Sequence, residues 1–207
     1  MNYSNITIKQ YKEIMDIIKT TDDITEANYL IVCTLLNKDV TLYEFTEGLK
    51  EIQFLNNAYE PKKVKRKYKV GDRDYEVELD PRRMQANQYI DYQGFIKDPE
   101  NYLSNIAACF LIPAGKKYNN GYDALNEAEY LYEHLTVDVM QDIFFFFQKL
   151  YQELTLGTLR SLESTMKKEL KKEKDSLIRR KLMRGMIECR LARKRILSQK
   201  SGDGFVL

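Results

Sequence analysis

The last fifth of the chain constrains the fold most. Positions 160 to 200 hold 15 Lys or Arg against 5 Asp or Glu, a surplus of +10 in a chain of net charge +2, so the remainder carries −8. Residues from roughly Thr158 to Ser198 read as one long basic helix, because apolar side chains recur in them at helical steps. Leu159, Leu162 and Met166 form one stripe; Ile178, Leu182, Gly185, Cys189, Ala192 and Ile196 form a second, at alternating spacings of four and three. Positions 167–176, between the stripes, are eight-tenths charged and read as a solvated bridge. Unbroken, a helix of about 41 residues extends roughly 60 Å. That exceeds the width of a small domain, so part of it projects or meets another chain, unless Gly185 permits a kink or a close helix contact.

The rest of the chain reads as a globular body over residues 1–155, followed by the basic helix over 156–200 and a short tail at 201–207. Hydrophobic residues make up 43% and charged residues 31%, enough apolar material for a packed core and too much for wholesale disorder. Helix starts are marked by side chains that accept the orphan N–H bonds of a first turn: Thr7 with Gln10, Asp23 with Glu26 and Thr41 with Glu44 all have capping-box spacing. They open three short amphipathic helices within residues 7–57. After Pro61 and the basic stretch 62–67, Tyr68, Val70, Tyr75, Val77 and Leu79 alternate with charged residues around Gly71-Asp72, which predicts a β-hairpin at about 64–79.

Asp80-Pro81 and Asp98-Pro99 each place a capping carboxylate before a proline at a first helical position, and predict helices over about 81–96 and 99–112. Pro113 stops the second, a polar loop follows to Gly121, and Ala124 to Leu135 and Val137 to Leu154 read as further helices. Phe144, Phe145, Phe146 and Phe147 surround their helix on all sides, so it is either central to the core or covered by a partner. The fold class is therefore mainly α: a multi-helix body with one small hairpin and a long C-terminal helix.

Chemistry-bearing patterns are weak. Ala114-Gly115-Lys116-Lys117 lacks the upstream glycine and the Ser/Thr of a phosphate-binding loop. Asp72, Asp74, Glu76, Glu78 and Asp80 could gather a divalent cation, but they read better as the solvated face of the hairpin. His134 is the only histidine, so a His-based triad or zinc site would need all its imidazole from one position. Cys33, Cys109 and Cys189 are far apart and read as buried reduced thiols. No catalytic residue, metal site or cofactor is assigned, and a small hydrolase or nuclease would need a convergent carboxylate cluster that the linear sequence does not display. No run approaches the roughly 18 apolar residues that cross a bilayer, and residues 1–5 lack the basic and apolar regions of a signal peptide, so the expectation is a cytoplasmic chain without a membrane partner.

The stretch from Leu79 to Asp123 carries a resemblance. A hairpin leads into Gln88-Tyr89-Ile90-Asp91-Tyr92, then a proline-started helix ends Ile106-Ala107-Ala108-Cys109-Phe110-Leu111-Ile112-Pro113, and a Gly-Lys-Lys-Tyr loop closes on Gly121-Tyr122-Asp123. This resembles tail-assembly-chaperone-like and other small morphogenesis proteins of tailed bacteriophages that infect Bacteroidetes, over residues 5–155 in element order. The resemblance implies a non-enzymatic role: binding other phage structural proteins, or copies of itself, in the host cytoplasm during assembly. The long C-terminal helix departs from the compact chaperone pattern and points to a component retained in the virion. Ile178, Leu182, Met186, Cys189 and Ile196, rimmed by Arg179, Arg180, Arg184 and Arg193, are the expected partner-binding residues. The alternative is a nucleic-acid-binding accessory protein that uses the same basic helix on phosphates; the apolar stripe among the arginines favours a protein.

Overall fold

The computed structural model describes residues 1–57, 59–80, 83–118 and 122–198. Within them the chain is mainly helical, with eight α-helices and a three-stranded antiparallel sheet. It divides into two compact units, Met1–Phe146 and Phe147–Leu207.

The first unit begins with α1 (Ile8–Thr20), α2 (Ile24–Leu36) and α3 (Leu42–Glu51), the three helices expected within residues 7–57. Thr7 and Thr41 form reciprocal capping boxes with Gln10 and Glu44, while Asp23 caps from one side only, accepting from the Glu26 N–H. Gly48 on α3 lies against Val32 of α2, which is buried: a Cβ added at Gly48 would stand 2.5 Å from Val32 Cγ1. The close approach of α2 and α3 therefore depends on a missing methyl group.

The expected hairpin is β1 (Lys67–Val70) and β2 (Arg73–Val77), paired from Lys67↔Glu76 to Val70↔Arg73. Gly71 opens the two-residue turn at φ +58°, a left-handed conformation that a side chain resists and a II′ hairpin turn requires. A third strand, β3 (Leu111–Pro113), was not expected; it pairs with β2 through Tyr75↔Pro113, Glu76↔Ile112 and Val77↔Leu111. It takes over where α5 (Pro99–Phe110) was expected to continue to residue 112. The reason is local: the residue before a proline is pushed out of the helical region, so Ile112 extends and its neighbours pair with β2.

Two other helix starts differ. α4 (Ala86–Phe95) begins later than the expected residue 81, with Gln85 as its cap; Pro81 and its neighbour at 82 lie outside the described residues. Asp98 precedes α5 but makes no cap bond, and its Oδ2 accepts from the Asn101 side chain at 2.9 Å instead. The Gly121 end of the polar loop and the tail at 201–207 also lie outside the described residues.

α6 (Ala124–His134) packs chiefly on α5, and a short backbone bridge between Thr7 and Thr136 ties the start of the chain to the α6–α7 junction. There the Ile8 N–H donates to Leu135 O at 2.9 Å and the Val137 N–H to Ile6 O at 2.9 Å. Around them Ile6, Ile8, Ile14, Leu131, Leu135, Met140 and Ile143 are fully buried. Phe144 and Phe147 are buried and Phe145 and Phe146 half-buried, so the aromatic run sits on a largely enclosed helix, as a central core position requires.

The long helix is α7 (Val137–Lys172), which passes the expected stop near residue 154, and α8 (Ser176–Ser198) follows it. The expected single helix from 158 to 198 is thus two helices separated by residues 173–175. Gly157 weakens a helix by only about 1 kcal/mol and does not end one. Asp175, by contrast, supplies a new start: its Oδ1 accepts from the Leu177 and Ile178 N–H groups at 2.7 and 3.1 Å.

Two glycine substitutions separate packing from propensity. Gly48→Ala should destabilise the protein by about 1–3 kcal/mol through overpacking on Val32. Gly157→Ala, where an added Cβ meets nothing within 4 Å, should stabilise it by about 0.5–1 kcal/mol. Thermal melts of the two variants should move in opposite directions; equal shifts would contradict the packing described.

Candidate interaction surface

Within the second unit, α8 runs antiparallel to the C-terminal part of α7. On α7, Leu156, Leu159, Glu163, Met166 and Leu170 are buried or half-buried at steps of three and four; on α8, Leu182, Met186, Cys189, Arg193 and Ile196 do the same. This is the seam of an antiparallel coiled coil, two apolar stripes that meet along one line. Gly185 sits in it without interrupting α8, and an added Cβ there would be 2.9 Å from Met166 Sδ. Of the two roles open to Gly185 in the sequence, it takes that of a close helix contact.

One acidic residue occupies the middle of the seam. Glu163 is only 8% exposed, and its carboxylate accepts from Arg190 Nε at 2.8 Å and Arg193 Nη1 at 2.9 Å, with Lys167 Nζ at 3.3 Å. These cations, led by Arg190, hold the Glu163 carboxyl below its ordinary pKa, against the desolvation that raises it. At the turn, Arg179 Nη1 donates to the carbonyls of Leu170 and Glu173, both at 3.0 Å, and so satisfies acceptors that the end of α7 leaves open.

The structure therefore distributes the expected partner-binding residues over two faces. Leu182, Met186, Cys189, Arg193 and Ile196 line the seam, Arg179 closes the turn, and Ile178, Arg180 and Arg184 are exposed. Arg184 pairs with Glu188 at 3.2 Å. Leu162, placed by its spacing on the first stripe, faces outward, because the seam needs the positions of Glu163 and Met166. A row that sequence spacing did not single out stands on the outer side of α8: Met183, Ile187 and Leu191 are 49%, 56% and 50% exposed at successive i, i+4 positions. Its periodicity was visible in the chain, but seam and outer row both repeat at helical intervals and only the fold-back tells them apart.

The first unit contains a second polar cluster, where β2 meets α6. Glu127 is buried and accepts from the Tyr75 hydroxyl and from Arg73 Nη1 at 3.2 Å, while the Arg73 guanidinium lies 3.6 Å from the centre of the Tyr130 ring. The Tyr130 hydroxyl accepts from the Asp72 N–H at 3.2 Å, and His134 packs on the Tyr130 ring. Every member has a partner, so the cluster fastens the hairpin to α6. A further group, Tyr118 to Asp91 Oδ2 at 2.7 Å beside Cys109, lies under α4 and α5, and burial pushes the Cys109 thiol up to about 12. That thiol resists ionisation and is a poor nucleophile. Cys33 and Cys189 are half-buried rather than buried, and all three cysteines are free. Among the described residues no three His, Cys, Asp or Glu side chains gather as a metal site, and no helix is long and apolar enough to cross a membrane.

The depressed Glu163 pKa fixes the sign of a pH dependence: its ion pairs stabilise the fold above the ordinary carboxylate range, near pH 4.3, and that stabilisation is lost as pH falls through the lower folded value. Glu163→Gln should therefore melt well below the wild type at pH 7, and the gap should close on acidification below about pH 4. A gap that stayed constant with pH would remove the carboxylate from this role. No family model, no curated protein and no solved structure matches the chain.

Proposed function

We propose that this chain is a non-enzymatic protein-binding component that works through the outer face of its C-terminal helical hairpin, in the manner of a tailed-phage assembly or virion-associated protein. The row Met183, Ile187 and Leu191 carries this reading. Single exposed apolar residues are ordinary on any surface. Three in register on one helix, bordered by Arg180 and Lys194, and by Arg184 and Arg190 in their pairs with Glu188 and Glu163, form the kind of stripe that a partner helix or groove covers. The partner would be another phage structural protein or a copy of the chain, met in the host cytoplasm during assembly.

Nucleic acid is the weaker reading. Arg179, Arg184, Arg190 and Arg193 already bond to groups of the hairpin itself, which leaves fewer cations to release counterions from a phosphate backbone.

The test is a full-length variant carrying Met183→Glu and Ile187→Glu, at positions where exposure makes the fold tolerant. In the phage that encodes the chain, mass spectrometry should find the wild-type protein in assembly intermediates or virions, and the variant should be lost from them while its far-UV circular dichroism is unchanged. A variant that co-sediments as the wild type does would overturn the reading. DNA affinity that drops by orders of magnitude between about 50 and 200 mM salt, and is indifferent to these substitutions, would put nucleic acid in its place.

A further inference from the structure

The turned end of the α7–α8 hairpin carries a surface of a different kind. Positions 167–181 hold eight Lys or Arg against three Asp or Glu. Two of the cations are engaged, Lys167 on Glu163 and Arg179 on the carbonyls of Leu170 and Glu173. The other six, Lys168, Lys171, Lys172, Lys174, Arg180 and Lys181, are exposed and have no ion pair among the described residues. Two of the three carboxylates turn onto the backbone instead: Glu173 Oε1 accepts from the Lys174 and Asp175 N–H groups, both at 2.8 Å, and Asp175 Oδ1 caps α8. Among the lysines stand Leu177 and Ile178, 60% and 44% exposed in the first turn of α8.

Charge calls for an anionic partner, and the shape and the two aliphatic side chains select its kind. Each helix is about 10 Å across, so the end of the hairpin offers on the order of 200 Å², a fraction of the roughly 800 Å² that each side of a stable protein interface buries. A phosphate backbone would take the cations but has no place for Leu177 and Ile178. Positions 152–198 also hold no Phe, Tyr or Trp on which bases could stack. An anionic bilayer meets all these features. It is fluid and moulds to a narrow end, its headgroups attract lysines singly as point charges, and its acyl boundary takes up aliphatic side chains.

We infer that the turned end of the α7–α8 hairpin binds the surface of a bilayer rich in anionic lipid, with Leu177 and Ile178 set into the headgroup boundary and Lys168, Lys172 and Lys174 among the cations on the lipid phosphates. Such binding is peripheral: no helix of the described residues is long and apolar enough to cross a membrane, and none needs to be. It goes beyond the protein-binding reading, which uses the outer row of α8 and stands or falls separately.

Vesicle co-sedimentation of the full-length protein tests this. The wild type should bind vesicles of phosphatidylcholine mixed with phosphatidylglycerol, bind pure phosphatidylcholine vesicles poorly, and be released from the mixed ones as salt rises from about 50 to 300 mM. Lys168→Gln, Lys172→Gln and Lys174→Gln together should weaken binding about a hundredfold, and Leu177→Gln alone about tenfold. All four positions are exposed, and glutamine keeps the helix propensity of the residue it replaces, so far-UV circular dichroism should not change. A wild type that binds neither kind of vesicle, or both equally, would overturn the inference, as would a Leu177→Gln variant that binds as the wild type does. Duplex DNA bound in preference to the mixed vesicles, with an affinity indifferent to Leu177→Gln, would overturn it in favour of nucleic acid.

Discussion

The first unit depends on a pair of backbone hydrogen bonds between segments more than a hundred residues apart. Ile8 donates to Leu135 and Val137 donates to Ile6, so the strand-like residue before α1 is clasped by the junction from which α6 ends and α7 begins. Each bond by itself contributes about 1 kcal/mol. Their larger effect is geometric. They set α1 beside α6, fully bury the side chains of Ile6, Leu135 and Val137, and give the first three helices a fixed neighbour on the rest of the unit.

Four of the five buried polar side chains among the described residues, all but Gln141, follow one pattern, in which a single side chain joins two elements. Glu127 of α6 takes Tyr75 and Arg73 of β2; Asp142 of α7 takes the Tyr59 hydroxyl at 2.8 Å and the Lys62 N–H at 2.6 Å; Gln88 of α4 donates to Cys109 O at 2.6 Å near the end of α5; Glu163 of α7 takes Arg190 and Arg193 of α8. An unpaired buried polar group is destabilising by about 1–3 kcal/mol, so each pairing discriminates against any packing that separates its elements. The start of the basic stretch 62–67 is held by such a group, through the Lys62 N–H on Asp142.

Most of the helices were legible in the sequence because their starts are local events. Thr7, Asp23 and Thr41 need only their own first turns to act as caps, and the hairpin needs only its alternation and Gly71. The misses are non-local. Leu111 to Pro113 become a strand only because β2 offers them an edge, and no periodicity spans three residues. The fold-back at 173–175 was hidden by its composition: lysine and glutamate favour helix wherever they stand, and Asp175 reads equally well as an i, i+4 partner of Lys171 or as a cap. The seam and the outer row of α8 could not be distinguished until α7 was in place: of the residues first assigned to a partner, Leu182, Met186, Cys189, Arg193 and Ile196 line the seam, Ile178, Arg180 and Arg184 stay exposed, and the row Met183, Ile187 and Leu191 was not singled out.

The sheet sets a boundary on how copies of this molecule can join. Its outer strands are β1, whose side chains include Lys67 and Lys69, and β3, three residues long and ending in Pro113, which has no N–H to donate. Charged side chains on one border and a proline-ended stub on the other are features that keep a sheet from recruiting strands of a neighbouring chain. Growth by strand addition, the route that leads toward fibres, is thereby discouraged at both borders. What remains available for ordered association is helical surface, where contacts are made by side chains and can be specific and reversible.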